Sequence, residues 1–212
     1  MIFSLLHPTI RLPEGWRAAC DEWHAACDNP DSVEYILCTE QPLPNAVAPW
    51  ENFVLIENNN KHCSTAAWNK AGAASTGQVL ITIADDFAPC THWDTALLRA
   101  IPDLQGQYVI DVNMGGTRPE LLMFALMTRP YYERYGYVWY PEYKGMYADD
   151  DFTAVARRDG VVINARYLFF EHRHPAYGTA PDDDAYHWQN RPEAYKHGEQ
   201  VFARRKRNGF KD

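Results

Sequence analysis

Leu80-Ile81-Thr82-Ile83-Ala84-Asp85-Asp86-Phe87-Ala88-Pro89 is the stretch on which the fold turns. Five aliphatic or β-branched residues, Leu80 to Ala84, run directly into two adjacent carboxylates and then a turn. A short apolar run bounded by turn signals reads as a strand buried on both faces. Ligands in open α/β sheets bind beyond the carboxyl ends of such strands, which is where Asp85 and Asp86 fall. Their hard oxygens suit magnesium or manganese held together with a diphosphate. A pair of aspartates capping the turn before the next helix is the other reading.

Working outward, Ile2–Leu6, Val33–Cys38, Phe53–Ile56 and Val79–Ile83 read as strands. Between them Pro13–Cys27 reads as a helix opened by proline, with Trp16, Ala19, Cys20, Trp23 and Cys27 on one face. Lys61–Ser75 and Trp93–Ala100 read as two more helices. This alternation predicts an α/β domain with a mostly parallel central sheet flanked by helices. The second half is less regular. Tyr108–Val112, Leu121–Leu126 and Val161–Phe170 look extended, Pro130–Tyr135 helical, and Phe152–Arg158 a helix ended by Gly160. Residues 175–192 read as a polar loop that orders on ligand binding.

A chain of 212 residues has room for one domain with a filled core and too little for two. Apolar residues make up 46% and charged residues 23%, and no window approaches the roughly 18 apolar residues of a membrane span. The expectation is a protein with no membrane partner. The start of the chain has no signal-peptide pattern, and its five cysteines form no close pair, which fits a reducing cytoplasm better than a disulfide framework. A net charge of −8 argues against a broad polyanion-binding surface, and the basic run Ala203-Arg-Arg-Lys-Arg reads as a solvated helix end.

Three further clusters could carry chemistry. Asp149-Asp150-Asp151-Phe152 sits at the start of a helix, where carboxylates suit both the macrodipole and the cap. Three in a row exceed what a cap needs, and one could act as general base toward a hydroxyl. Phe169-Phe-Glu-His172-Arg-His174 ends an extended run with two imidazoles on one face, either of which could complete a metal site with Asp86. Leu6-His-Pro8-Thr9-Ile-Arg11 places an arginine suited to phosphate just after a strand, and Glu40 offers an acceptor for a base or ribose. The aromatic run Trp139-Tyr-Pro-Glu-Tyr143 could stack on a sugar or a base.

Taken in order, these pieces resemble the family-2-like glycosyltransferases of the GT-A fold, in a short form similar to phage-encoded proteins. Pro8-Thr9-Ile10-Arg11 resembles the family's opening motif, Glu40 its base-holding acid, and Ser64-Thr-Ala-Ala-Trp-Asn69 with Gly77 its arginine-asparagine segment. Ala84-Asp85-Asp86, followed by Pro89 and Trp93, resembles the DxD-type metal and diphosphate motif, with alanine at its first position. Ala148-Asp149-Asp150-Asp151-Phe152 resembles the element whose aspartate is the base in inverting members, and His172 or His174 the late metal-binding histidine.

The resemblance implies one GT-A-like domain over residues 1–212, with a nucleotide-sugar half (1–100), an acceptor and catalytic half (101–174), and a loop and basic helix (175–212). It implies transfer from a nucleotide-diphosphate sugar, a UDP-sugar first among them, to an acceptor hydroxyl, with Mn2+ or Mg2+. Asp149 would be the catalytic base. Pro8, Thr9, Arg11, Glu40, Asn69, Asp85 and Asp86 would bind the donor; Trp93, Asp150 and Asp151 would face the acceptor; Asp86, His172 and His174 would hold the metal. A hydroxylated base in phage DNA and a glycan are the acceptor candidates, and the setting expected is the cytoplasm. A nucleotidyltransferase is the nearest rival, and Ala84 and Ala148 leave room for an inactive nucleotide-sugar-binding module.

Overall fold

The computed structural model describes residues 1–11, 14–43, 47–59, 62–116 and 118–211. In chain order the elements are β1 (Phe3–Thr9), α1 (Glu14–Ala25), β2 (Val33–Thr39), β3 (Asn52–Glu57), α2 (Ser64–Ala74), β4 (Val79–Thr82), β5 (Phe87–Ala88) and α3 (Trp93–Ala100). They continue as β6 (Val109–Asn113), β7 (Leu126–Thr128), α4 (Arg129–Tyr135), α5 (Ala148–Asp159), β8 (Val162–Phe169), β9 (Glu171–His172), α6 (Asp184–Gln189) and α7 (Pro192–Arg207). Pro13 and Lys61, expected to open the first two helices, lie outside the described residues.

Among the described residues seven strands form one sheet in the order β3-β2-β1-β4-β7-β6-β8. All neighbours are parallel except β7, which runs against both β4 and β6. The chain moves outward from β1 through β2 to β3, then returns to place β4 on the other side of β1. That reversal opens a crevice at the carboxyl ends of β1 and β4, the position where open α/β sheets take ligands. Pairing of β4 with β1 stops at Leu6 and Thr82, so Pro8 and Thr9 border an open edge.

Each face of the sheet has its own core. On one face Phe3, Leu5, Tyr35 and Ile81 pack against Trp16, Cys20 and Trp23 of α1 and Trp93 and Leu97 of α3. On the other, Leu6, Ile36, Cys38 and Leu80 pack against Ala67 and Ala71 of α2, with Tyr131, Phe152 and Val201 from α4, α5 and α7. Burial on both faces is why β1, β2 and β4 read as mainly apolar runs rather than as alternating strands, with Ser4, His7 and Glu34 as buried polar exceptions. Burying a side chain of this kind contributes about 1.5–3 kcal/mol. Gly77 sits where β4 begins because an added Cβ would lie 2.5 Å from Ser4 Oγ and 2.7 Å from the Phe3 carbonyl carbon.

Three expectations need correction. Leu121–Leu126 is not a strand: only Leu126 enters β7, and Leu121, Leu122, Phe124 and Ala125 are apolar because they fill the core as irregular chain. The helix expected from Phe152 begins at Ala148, so all three aspartates lie in its first turn. Residues 175–192 are not a plain loop. They hold a 3-10 turn at Pro175–Tyr177 and α6, whose N-cap Asp183 accepts from the Tyr186 N–H.

Candidate donor and catalytic site

The crevice at the ends of β1 and β4 is built around Asp85. Residues 7 and 9 of β1 point to one face, and both reach it: His7 Nε2 lies 3.0 Å from Oδ1, and Thr9 Oγ1 donates to Oδ2 at 3.0 Å. Arg11 adds a guanidinium at 3.9 Å from Oδ2. A carboxylate only accepts, so His7 donates from Nε2 to Asp85. Its other ring nitrogen, Nδ1, is hydrogen-bonded to the Tyr35 hydroxyl. Burial pushes the Tyr35 phenol well above its ordinary value, keeping it a donor. His7 is fully buried, so a chain of groups fixes Asp85 from behind.

Asp86 faces another set. The short β5–β9 ladder pairs Phe87 with His172, and the Arg173 N–H donates to the Asp86 carbonyl at 2.8 Å. This brings His172 Nε2 to 3.6 Å from Asp86 Oδ2. Burial pushes the Asp86 carboxyl upward, but the hydrogen bond and charge of His172, with the charge of Arg11, outweigh it and hold the group below its ordinary value. His172 Nδ1 is buried with no partner among the described residues. Packing against Phe87, with ring centres 4.6 Å apart, and against Tyr177 at 5.7 Å holds the imidazole in place.

His174 does not join this pair as a ready ligand. Its Nδ1 accepts from the Ala176 N–H at 3.2 Å, capping the turn, and its ring packs on Tyr186. Burial and the neighbouring His172 hold it below the ordinary histidine value. Among the described residues no group of three or more His, Cys, Asp and Glu side chains is gathered as a metal site. The expected trio of Asp86, His172 and His174 is therefore not assembled. Asp86 and His172 still fit Mn2+ or Mg2+ as a two-residue donor set: a hard carboxylate oxygen and the imidazole Nε2 that faces it at 3.6 Å, leaving positions for diphosphate oxygens and water.

Asp149 lies at the start of α5, just after Tyr147, whose φ of +69° is a costly left-handed conformation for a non-glycine residue. Burial and the adjacent Asp150 charge push the Asp149 carboxyl up from 3.8 to about 6. Its charge in turn helps burial raise the Tyr177 hydroxyl, which places it in the electrostatic neighbourhood of the ring that packs on His172 and His174. Of the other two, Asp150 is bound by Arg118 at 2.8 Å. Asp151 is buried, chelated by Arg205 at 2.6 and 3.2 Å and bonded by the Tyr143 hydroxyl at 3.1 Å. The acceptor-side role expected of Asp151 is unavailable to a carboxylate locked in the core.

Two other expected site residues, Trp93 and Asn69, are committed to packing. Trp93 is fully buried, with its indole N–H on the Trp23 carbonyl and its ring 5.2 Å from Phe3, so it cannot face an acceptor. Asn69 spends its amide on the chain after α4, donating to Trp139 O at 2.7 Å and accepting from the Val138 and Trp139 N–H groups. Glu40 lies just beyond β2 and accepts from the His62 N–H. Pro8 is paired in register with Cys38.

The structure adds residues that the sequence left unmarked. His7 and Tyr35 are two, and Asp183, bound to Arg11 at 2.5 Å, is a third. The only sequence signal for His7 was a histidine inside an apolar strand directly before Pro8-Thr9.

By sequence the chain matches no known family profile and no curated protein. Its backbone does resemble solved structures. It is similar to S. aureus TarS (TM-score 0.64, 14% identity), covering 96% of this chain and 42% of that one. It is similar to the mannosyltransferase PcManGT from Pyrobaculum calidifontis, solved with GDP-Man and Mn2+ (0.59, 14%), over 96% of this chain and 74% of that one. It is also similar to GalNAc-T7, solved with UDP, GalNAc and Mn2+ (0.61, 14%), over 94% and 54%. The chain thus spans less than half of the full TarS chain. Together with the strand order and the crevice, these likenesses show a GT-A-like architecture: a mostly parallel central sheet flanked by helices.

Proposed function

We propose that this chain is a glycosyltransferase that moves a sugar from a nucleoside-diphosphate sugar, with UDP as the first nucleotide to test, to an acceptor hydroxyl with inversion at the anomeric carbon. The observation that supports this reading is the crevice at the ends of β1 and β4, where His7, Thr9 and Arg11 surround Asp85 and His172 faces Asp86 at 3.6 Å; Asp149, at the start of α5 and raised to about 6, is the candidate base. A general base works best with a pKa near the operating pH and within reach of the proton that it takes.

In this reading Arg11 engages the diphosphate, while His7 and Thr9 hold Asp85 in one orientation toward the donor. Asp86 and His172 would hold Mn2+ or Mg2+, which would supply charge stabilisation to the departing diphosphate. The acceptor oxygen attacks the anomeric carbon as Asp149 takes its proton. The bond from that carbon to the diphosphate oxygen breaks, and its electron pair leaves with the nucleoside diphosphate.

Turnover of a panel of nucleotide sugars, read as release of nucleoside diphosphate, tests this. The wild-type protein should release it, and Asp149→Asn should lose about 100-fold to 10,000-fold in rate while keeping its donor affinity. Absence of release from every donor, or an unchanged rate in Asp149→Asn, would refute the assignment.

A further inference from the structure

A cavity of about 310 Å³ lies outside the residues assigned above. One wall is the loop that leads into α5, with Pro141, Glu142, Tyr143 and Lys144. Trp188 of α6 and Arg191 at the N-cap of α7 also line the cavity, with His62 and Cys63 just before α2.

Its chemistry is that of an anion site with a ring platform. Arg191 stacks on Trp188 with its guanidinium carbon 3.9 Å from the ring centre, which fixes the fork in place. Neither Arg191 nor Lys144 has a carboxylate partner among the described residues. Glu142, the carboxylate in the lining, is paired with Arg204 at 2.6 Å. Trp188 is 44% exposed, an unusual state for an indole, and the His62 ring lies 5.0 Å from it. Arg191 Nη1 also donates to the Trp188 carbonyl, which leaves the rest of its fork, with Lys144, as two cations without a carboxylate partner among the described residues, beside an exposed aromatic face; that suits a phosphate attached to a ring.

Position says which substrate it would serve. The wall at Lys144 runs on through Gly145, whose carbonyl accepts from the Ala148 N–H at 3.2 Å, and the next residue is the candidate base Asp149. The candidate diphosphate contacts, Arg11 and Asp86, lie instead at the strand ends of the crevice. We propose that this cavity is an acceptor subsite for a phosphorylated sugar, seated with its ring against Trp188 and its phosphate between Lys144 and Arg191. The assignment as an acceptor site rests on the glycosyltransferase reading; binding of the phosphate does not. The volume lies at the small end for ligand pockets, roughly 300–1,000 Å³, and suits one ring unit. A net charge of −8, with Asp182 and Asp184 beside the cavity wall in sequence, disfavours a long polyanion such as nucleic acid.

Calorimetric titration of the full chain with glucose 6-phosphate, glucose, a thymidine octanucleotide and UDP tests the assignment. Glucose 6-phosphate should bind at least about tenfold more tightly than glucose, and Lys144→Ala and Arg191→Ala should each lose about fivefold or more of that affinity, consistent with the worth of a charge-assisted hydrogen bond. UDP affinity should stay unchanged in both variants, which also shows that they remain folded. Equal affinity for glucose and its phosphate would overturn the proposal. Weaker UDP binding in the variants would assign the cavity to the donor instead, and tighter binding of the octanucleotide than of glucose 6-phosphate would make the acceptor a nucleic acid; either result overturns it. Failure of UDP to bind the wild type, with the phosphate preference intact, would refute the glycosyltransferase reading and separate its failure from that of the phosphate site.

Discussion

Asp149→Asn should make the protein more stable as it makes it less active. The native carboxyl titrates at about 6 against an ordinary 3.8, because burial and Asp150 disfavour its charge. At neutral pH the folded state must carry that charge in an unfavourable place, whereas the unfolded chain carries it at no cost. For a raised carboxylate the sign is fixed: the folded state binds more protons between the two values, so stability falls as pH rises from about 4 through 6 and is flat above. A shift from 3.8 to about 6 corresponds to about 3 kcal/mol. Asparagine removes the charge and keeps the shape. For a chain of this size that is a rise in Tm of roughly 6–12 °C at pH 8 as an upper bound, shrinking toward zero near pH 4. Thermal melts of both proteins at pH 4 and pH 8 measure it. A variant no more stable than wild type at pH 8, or a gain of equal size at both pH values, would refute the placement of Asp149 in a desolvated site. The wild-type transfer rate should also rise about tenfold per pH unit up to about 6 and then level off.

His7→Ala leaves the Tyr35 hydroxyl and one Asp85 oxygen without their partner, and should cost about 2–4 kcal/mol in urea unfolding; a loss below about 0.5 kcal/mol would show that Asp85 is not held from behind. Arg205→Ala strands the buried Asp151 carboxylate and should cost about 3–5 kcal/mol, and an effect below about 1 kcal/mol would mean that the pair is solvated. Asp183→Asn removes the carboxylate that now occupies Arg11, so UDP affinity should rise a few-fold; a fall would show that Asp183 assists the donor rather than competing with it.

The layered fold was legible wherever one local pattern decided an element. The apolar runs of β1, β2 and β4 needed only their own residues, and Trp93–Ala100 forms the helix that its sequence predicts. The carboxylates after β4 could be placed from strand polarity alone. What the sequence could not display was partnership across long separations. His7 is 28 residues from Tyr35 and 78 from Asp85, and Arg11 is 172 from Asp183. Arg205 read as a solvated cation of a basic tail, yet it is buried on Asp151 54 residues away. Resemblance to family motifs erred in a related way: Trp93 and Asn69 occupy matching sequence positions, but tertiary packing consumes their polar groups. The apolar stretch 121–126 was ambiguous in principle, because core filling and strand formation select the same residue types.

A divalent cation held through Asp86 should complete the proposed nucleoside-diphosphate site. Calorimetric titration of UDP into the protein, with Mn2+ and again with EDTA, tests it directly, in parallel for wild type and Asp86→Ala. Wild type should bind at least about tenfold more tightly with Mn2+, and Asp86→Ala should bind weakly and equally in both conditions, because a carboxylate oxygen is the hard ligand that the cation needs. Equal UDP affinity with Mn2+ and with EDTA in the wild type, or full metal dependence in Asp86→Ala, would contradict it.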